Sequence, residues 1–220
     1  MERQVDKKPT RDILRERNRM ALITATLDCV AELGIAGTSV SAIIERAGLS
    51  RGMIHLHFDG KDKLLEEAAQ QLNAQYYDTL DAALLAAGPS PEEQVEAIVR
   101  TDLSVDLLNE RYANIWYAFR GEARKRDSIA VFSNTRDARL RNRIFQTFLA
   151  IARSAECPEP EQVARDAAHG TLALLEGMWA DFLLHPHAFR REEATRIVLR
   201  FLAGLFPSHF TLSGAQPAER

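Results

Sequence analysis

TSVSAIIERAGLSRGMIHLHFDGKDKLL, residues 38–65, decides how the rest of the chain is read. Val40, Ile43, Ile44 and Ala47 fall on one face of a helix, and Thr38 or Ser39 can cap its start by accepting a backbone N–H bond. Gly48 supplies the left-handed residue that ends it. Ser50 can cap a second short helix, on which Ile54 and Phe58 share one side at i, i+4 spacing. Arg51, Gly52, Met53, His55 and Leu56 are left mostly on the other sides. His55 and His57 stand two residues apart, hence on nearly opposite sides of a helix, and cannot readily close on one metal ion.

Two short helices joined by a tight AGLS turn form a helix-turn-helix, in which the first helix braces and the second enters the DNA major groove. Gly52 permits close approach of the backbone, Arg51 can fork onto guanine or phosphate, and His55 can donate to a phosphate. Met53 and Leu56 are apolar on a polar face. Leu56 has two readings, contact with a thymine methyl or packing on the helix that follows.

Upstream, Met20, Ile23, Leu27 and Val30 keep helical spacing until Gly34 stops the helix. Downstream, residues 61–88 form a long amphipathic run closed by Gly88-Pro89. Ser90 and Glu93 match a capping box. Helical patterns then extend from about Pro91 to Asn109, Arg111 to Arg126, Ser128 to Ser154, Glu161 to Leu184 and Arg191 to Phe206. The fold class read from this pattern is all-α. It comprises a head at residues 1–63, including a charged arm at 1–17, a helical ligand-binding and dimerisation domain at 64–207, and a disordered tail at 208–220.

The 220 residues, 46% hydrophobic, suffice for one sizeable core or a small domain beside a larger one. The formal net charge of −3 conceals an asymmetry: residues 1–63 hold 11 basic against 9 acidic side chains, and the remainder 17 against 22. A mildly basic head on an acidic body suits a polyanion at one end only. Cys29 and Cys157 lie far apart without CxxC spacing, which suits a reducing compartment and favours neither a disulfide framework nor a zinc site. The charged N-terminus is unlike a signal peptide, and no apolar run is expected to approach the roughly 18 residues of a membrane span. The expected location is cytoplasmic, with no membrane partner, cofactor or metal.

The segment from Ile23 to Leu65 resembles the DNA-binding segment of the TetR family of bacterial repressors. Thr38, Ala47-Gly48, Ser50-Arg51-Gly52, Phe58 and Lys61 carry the resemblance; His55 departs from it, since a tyrosine is usual there. The resemblance implies a three-helix DNA-binding head, a helical ligand domain and a homodimer built on the last two long helices. It implies DNA contacts among Thr38, Ser39, Ser50, Arg51, Gly52, Met53, His55, Leu56, His57 and Lys61, with His55 and His57 either facing DNA or packing in the head. In the body, Trp116, Ala118, Phe119, Asp137, Arg139, Gly177, Trp179, Ala188 and Phe189 are similar to the choline-responsive subgroup that controls glycine-betaine synthesis. Arg120 departs from it, standing where that subgroup tends to have a tryptophan.

A quaternary ammonium has no N–H to donate and is held by aromatic faces and a carboxylate, at roughly 0.5–2 kcal/mol per good cation–π contact. Trp116 and Phe119 are i, i+3 on one helix, and Glu176 and Trp179 are i, i+3 on another, so each pair points one way. These four residues and Arg120 are the ligand-binding candidates. The same spacing equally describes core aromatics, with Glu176 paired to Arg120 or Arg139. The competing function is a helical enzyme using Asp166 and His169, spaced i, i+3 like half a carboxylate-bridged metal site. The basic head argues against it. Leu172, Leu175, Met178 and Trp179 with Ile197, Val198, Phe201, Leu202 and Leu205 exceed what one helical hairpin buries, which predicts a two-fold dimer.

Overall fold

In the computed structural model, residues 11–123 and 127–210 are described, the side chains of 127–137 excepted. Among these residues the regular structure is entirely helical: α1 (Arg11–Gly37), α2 (Val40–Ala47), α3 (Gly52–Phe58), α4 (Lys61–Ala86), α5 (Pro91–Asp102), α6 (Glu110–Ala123), α7 (Asp127–Ser154), α8 (Pro160–Leu184) and α9 (Arg191–Leu205). Of the described residues, those up to Leu72 and from Asn114 to Ala130 form one compact unit; Asn73–Ala113 and those from Val131 onward form the other. The division falls inside α4 and assigns most of α6 to the first unit, whereas the sequence places the boundary at 63/64. Helical continuity hides such a division, because nothing in the 3.6-residue pattern changes at Leu72.

In the first unit, α1 buries Leu22, Ile23, Thr26, Leu27, Cys29 and Val30, and Ile43 of α2 with Ile54 and Phe58 of α3 are buried as well. Gly34 (φ 66°) breaks the path of α1 where the sequence predicts a stop. Ser39 caps α2 by accepting from the Ala42 N–H at 3.1 Å, and Gly48 (φ 65°) ends it in the left-handed region. Arg46 of α2 forms a two-pronged ion pair with Glu32 of α1, fixing their relative register. The cap predicted for Ser50 is not made. Arg51 already has helical angles, the first turn is closed by the Met53 N–H on the Ser50 carbonyl at 3.0 Å, and the Ser50 residue is exposed.

The head also corrects the hydropathy reading. α1 contains an 18-residue stretch long and apolar enough by composition for a membrane span, because Leu22, Ile23, Leu27, Val30, Leu33 and Ile35 outweigh Asp28 and Glu32. Its apolar face is the core of the head.

In the second unit the Ser90–Glu93 capping box is present, and α5 ends at Asp102 rather than near Asn109. Polar residues compete for the backbone beyond that point: Asn109 donates to the Val105 carbonyl at 3.0 Å and accepts from the Tyr112 N–H at 2.9 Å, starting α6 instead of prolonging α5. Leu103, Leu107 and Leu108 are buried from this connection. α8 and α9 pack closely because Gly170 leaves room for Phe201; a Cβ at Gly170 would lie 2.4 Å from the Phe201 ring. Phe206 stacks on Phe148 with ring centroids 5.9 Å apart. Of the expected disordered tail, residues 211–220 lie outside the described residues. His209 and Phe210 are packed, Phe210 buried and His209 Nδ1 2.5 Å from Glu92 Oε1, so the ordered chain extends past 207.

Candidate functional site

The recognition face is built by what α3 turns inward. Ile54 and Phe58 are buried, and Arg19 of α1 lies with its guanidinium 5.7 Å from the Phe58 ring while pairing with Glu67 of α4. That fixes α3 on the head and leaves Arg51, Gly52, His55 and Leu56 exposed, beside exposed Ser39 and Ser50. Met53 and Lys61 are partly exposed. Leu56 is 62% exposed, so it does not pack on α4. A Cβ at Gly52 would meet nothing within 4 Å, so the fold itself does not demand glycine there. Among the described residues Arg51 reaches only an exposed 3.4 Å contact with the Ser41 hydroxyl, a contact weak enough to redirect.

Two of the ten candidates turn inward. Thr38 is fully buried and its hydroxyl donates to the Gly34 carbonyl at 2.8 Å, closing the kinked end of α1, so its side chain is not available to DNA. His57 lies against the Phe58 ring at 6.0 Å, with Nε2 buried and without a hydrogen-bond partner. Burial, then the nearby Arg15 and Arg19 charges, holds its pKa below the ordinary 6.5. Packing therefore separates the two histidines, with His55 outward and His57 inward.

His57 has a testable consequence. Because the folded state holds this imidazole neutral while the unfolded chain protonates near pH 6.5, stability present above that pH is lost as pH falls toward the lower folded value. Chemical unfolding should show this loss as the pH falls below about 6.5, the ordinary histidine value, and His57→Gln should flatten it. An unchanged slope in that variant would assign the pH dependence elsewhere.

The five ligand candidates divide between the units. Trp116, Phe119 and Arg120 lie on the part of α6 in the first, with Phe119 buried; Glu176 and Trp179 lie on α8 in the second, with Trp179 buried. Arg139, one sequence-level partner for Glu176, instead donates to Asp81 at 3.0 Å and stacks 4.0 Å from the Tyr77 ring centroid, while Arg143 bonds the other Asp81 oxygen. The Asp137 side chain lies outside the described set.

Sequence reasoning missed the centre of the second unit, Asp102. This carboxylate is 3% exposed; its Oδ1 accepts from the Tyr76 hydroxyl at 2.7 Å and its Oδ2 from the Trp179 indole at 2.8 Å. It therefore binds α4, α5 and α8 through one group whose two oxygens are both directed. A signal was present: Val95, Ile98 and Val99 are buried, and Asp102 takes the next position of that stripe. An acid on an apolar stripe is retained only if it is paired or hydrogen-bonded.

These features, a presented helix-turn-helix and a helical body with a buried aromatic–carboxylate centre, coincide with two family models. Residues 22–68 match bacterial regulatory proteins of the tetR family, and residues 91–207 match the C-terminal domain of BetI-type transcriptional repressors. The chain belongs to the TetR family. This TetR-family regulator is 28% identical over 184 residues to the HTH-type transcriptional regulator BetI of Stenotrophomonas maltophilia, covering 84% of this chain and 90% of the relative. It is likewise 28% identical to the BetI regulator of Cronobacter sakazakii, over 92% of this chain and 94% of the relative. Its fold is similar to that of a transcriptional regulator from Pseudomonas aeruginosa PAO1, with a TM-score of 0.78 and 27% identity over 88% of this chain and 93% of that one. A regulator from Saccharomonospora viridis, solved in complex with choline, has the same fold with a TM-score of 0.71 at 19% identity, covering 85% of this chain and 96% of that one. The TetR-family assignment makes the chain a transcription regulator and not an enzyme, which removes the reading that gave Asp166 and His169 a catalytic role.

Proposed function

We propose that this regulator is a homodimeric repressor that binds an inverted-repeat operator and releases it on binding a small organic cation of the choline type. The observation that carries the DNA half is the exposed face of α3, where Arg51, His55 and Leu56 stand outward although Leu56 gains nothing from water. Thymine-methyl contact would bury Leu56, and a fork from Arg51 would read guanine or grip phosphate. Dimerisation is supported by apolar side chains left at the surface of α8 and α9, namely Leu184 at 72%, Ile197 at 41% and Leu205 at 39% exposure. A two-fold dimer sets half-sites about one turn, roughly 34–36 Å, apart.

The effector half rests on the BetI-type body and on the chemistry at Asp102, where a carboxylate is held between a phenol and an indole. Aromatic faces and a carboxylate are what a quaternary ammonium requires. Release requires the effector to prefer the conformation that no longer fits the operator, and α4 is among the helices shared by both units, running from Lys61 beside α3 to Tyr76 at Asp102.

The test is fluorescence anisotropy on DNA flanking the regulator's own coding region, with choline titrated in, paired with melting curves. Choline should raise the melting temperature and weaken operator binding, and Trp179→Ala should abolish both responses. Should choline shift neither melting nor operator binding at millimolar concentration, the cation reading falls while the repressor survives. On the DNA side, Gly52→Ala should leave stability unchanged or raise it by up to ~1 kcal/mol, since alanine is the better helix former, yet weaken the operator complex. Unchanged operator affinity would show that the α3 backbone does not approach DNA at Gly52.

A further inference from the structure

A groove in the second unit, distinct from the Asp102 centre, carries chemistry of the opposite sign. It has a volume of about 730 Å³, within the usual 300–1,000 Å³ of small-molecule sites. Its walls are one face of each of two helices. α7 contributes Ala138, Arg141, Asn142 and Phe145; α8 contributes Gln162, Arg165, Asp166 and His169, the same i, i+3, i+4, i+7 pattern, with Ala168 beside them. Phe145 and Ala168 form the apolar part, and the Arg165 guanidinium lies 5.7 Å from the Phe145 ring centroid.

We propose that this groove binds a small organic anion, a carboxylate joined to an aromatic or apolar group. Arg141 and Arg165 are two permanent cations on facing walls, and planar guanidinium forks fit a carboxylate in two-pronged fashion. The one acid in the lining, Asp166, accepts from the Gln162 amide at 3.0 Å and so is already engaged along its own helix. Arg165 is engaged as well, by Glu161 at 3.2 Å, but both side chains are about three-fifths exposed, and such a pair is weak enough for a ligand carboxylate to displace it. Phe145 then offers its face to the apolar part of the ligand, and the Asn142 and His169 side chains complete the rim. A quaternary ammonium is repelled by the same two guanidiniums, so this site does not depend on the choline reading and does not compete with it. It also gives Asp166 and His169, singled out by their spacing, a place in a binding rim instead of in catalysis.

The experiment is isothermal titration of the full-length protein with four probes: benzoate, acetate, benzyl alcohol and choline. Benzoate should bind with a dissociation constant in the millimolar range or below, and acetate and benzyl alcohol, each lacking one half of the chemistry, at least about tenfold more weakly. Arg141→Gln with Arg165→Gln should weaken benzoate by about tenfold or more, and Phe145→Leu by a smaller factor. Both arginines are exposed, so the double variant should fold as the parent does. Choline should titrate identically into the parent and the double variant, because the two guanidiniums hold no cation. Absence of benzoate binding at millimolar concentration, equal benzoate affinity in the double variant, or a choline response lost with the two arginines would overturn the proposal. So would a double variant that becomes monomeric by light scattering, because the groove would then be an assembly surface.

Discussion

Asp102→Ala is expected to destabilise the protein by about 2–5 kcal/mol in urea unfolding, the largest effect of any single polar substitution in the second unit. The reason is the pair of donors it would abandon. The Tyr76 hydroxyl and the Trp179 indole N–H are directed at separate oxygens of a carboxylate that is 97% buried. Each donor left unsatisfied costs about 1–3 kcal/mol, and alanine cannot replace the lost volume. Tyr76→Phe should cost less, about 1 kcal/mol, because Asp102 keeps its indole donor. Asp102→Asn should fall between the two, since one oxygen survives while the new amide faces a donor. A cycle combining Tyr76→Phe with Asp102→Asn should show coupling of at least about 0.5 kcal/mol, as expected for groups in one network. Additive costs, or an alanine variant as stable as the parent, would show that the carboxylate does not organise α4, α5 and α8.

Arg51→Ala is expected to weaken operator binding by about 1–3 kcal/mol per half-site, and thus by twice that for a two-fold dimer, while leaving the fold intact. The fold is spared because Arg51 is exposed and makes only one long contact, to Ser41. If Arg51 reads guanine, the loss concentrates on operators that keep that base and disappears on those that have changed it. If it grips phosphate, the loss is uniform and the salt slope falls by about 0.9 per contact in each half. Lys61→Ala should give the uniform pattern, because a flexible ammonium at the start of α4 lacks the fork that base reading requires. Equal affinity of parent and Arg51→Ala over a range of salt would remove α3 from the interface as drawn.

The head was legible where its conformation is local. Gly34 and Gly48 take the left-handed angles that their stop positions imply, and the Ile54–Phe58 spacing identifies the inward side of α3. Misreadings arose where a polar residue had a choice of partner. Thr38 has the hydroxyl of a phosphate contact but spends it on the Gly34 carbonyl, and Ser50 has the hydroxyl of a cap but is replaced in that role by its own carbonyl. α5 stopped short because Asn109 captured the backbone for the following helix.

The sequence by itself determined the all-helical class and the helix-turn-helix, because apolar spacing and positive-φ glycines depend on neighbours within a few residues along the chain, and the residues of that segment carried the resemblance to the family. Only the tertiary structure decided which histidine turns inward, that Leu56 stays at the surface, and that Arg139 answers to Asp81. It alone brought Tyr76, Asp102 and Trp179 from three separate helices onto one carboxylate. The physical reason is that a buried polar group must find a partner wherever the fold offers one. For Asp102 that partner stands 77 residues away in Trp179, beyond the reach of any local pattern.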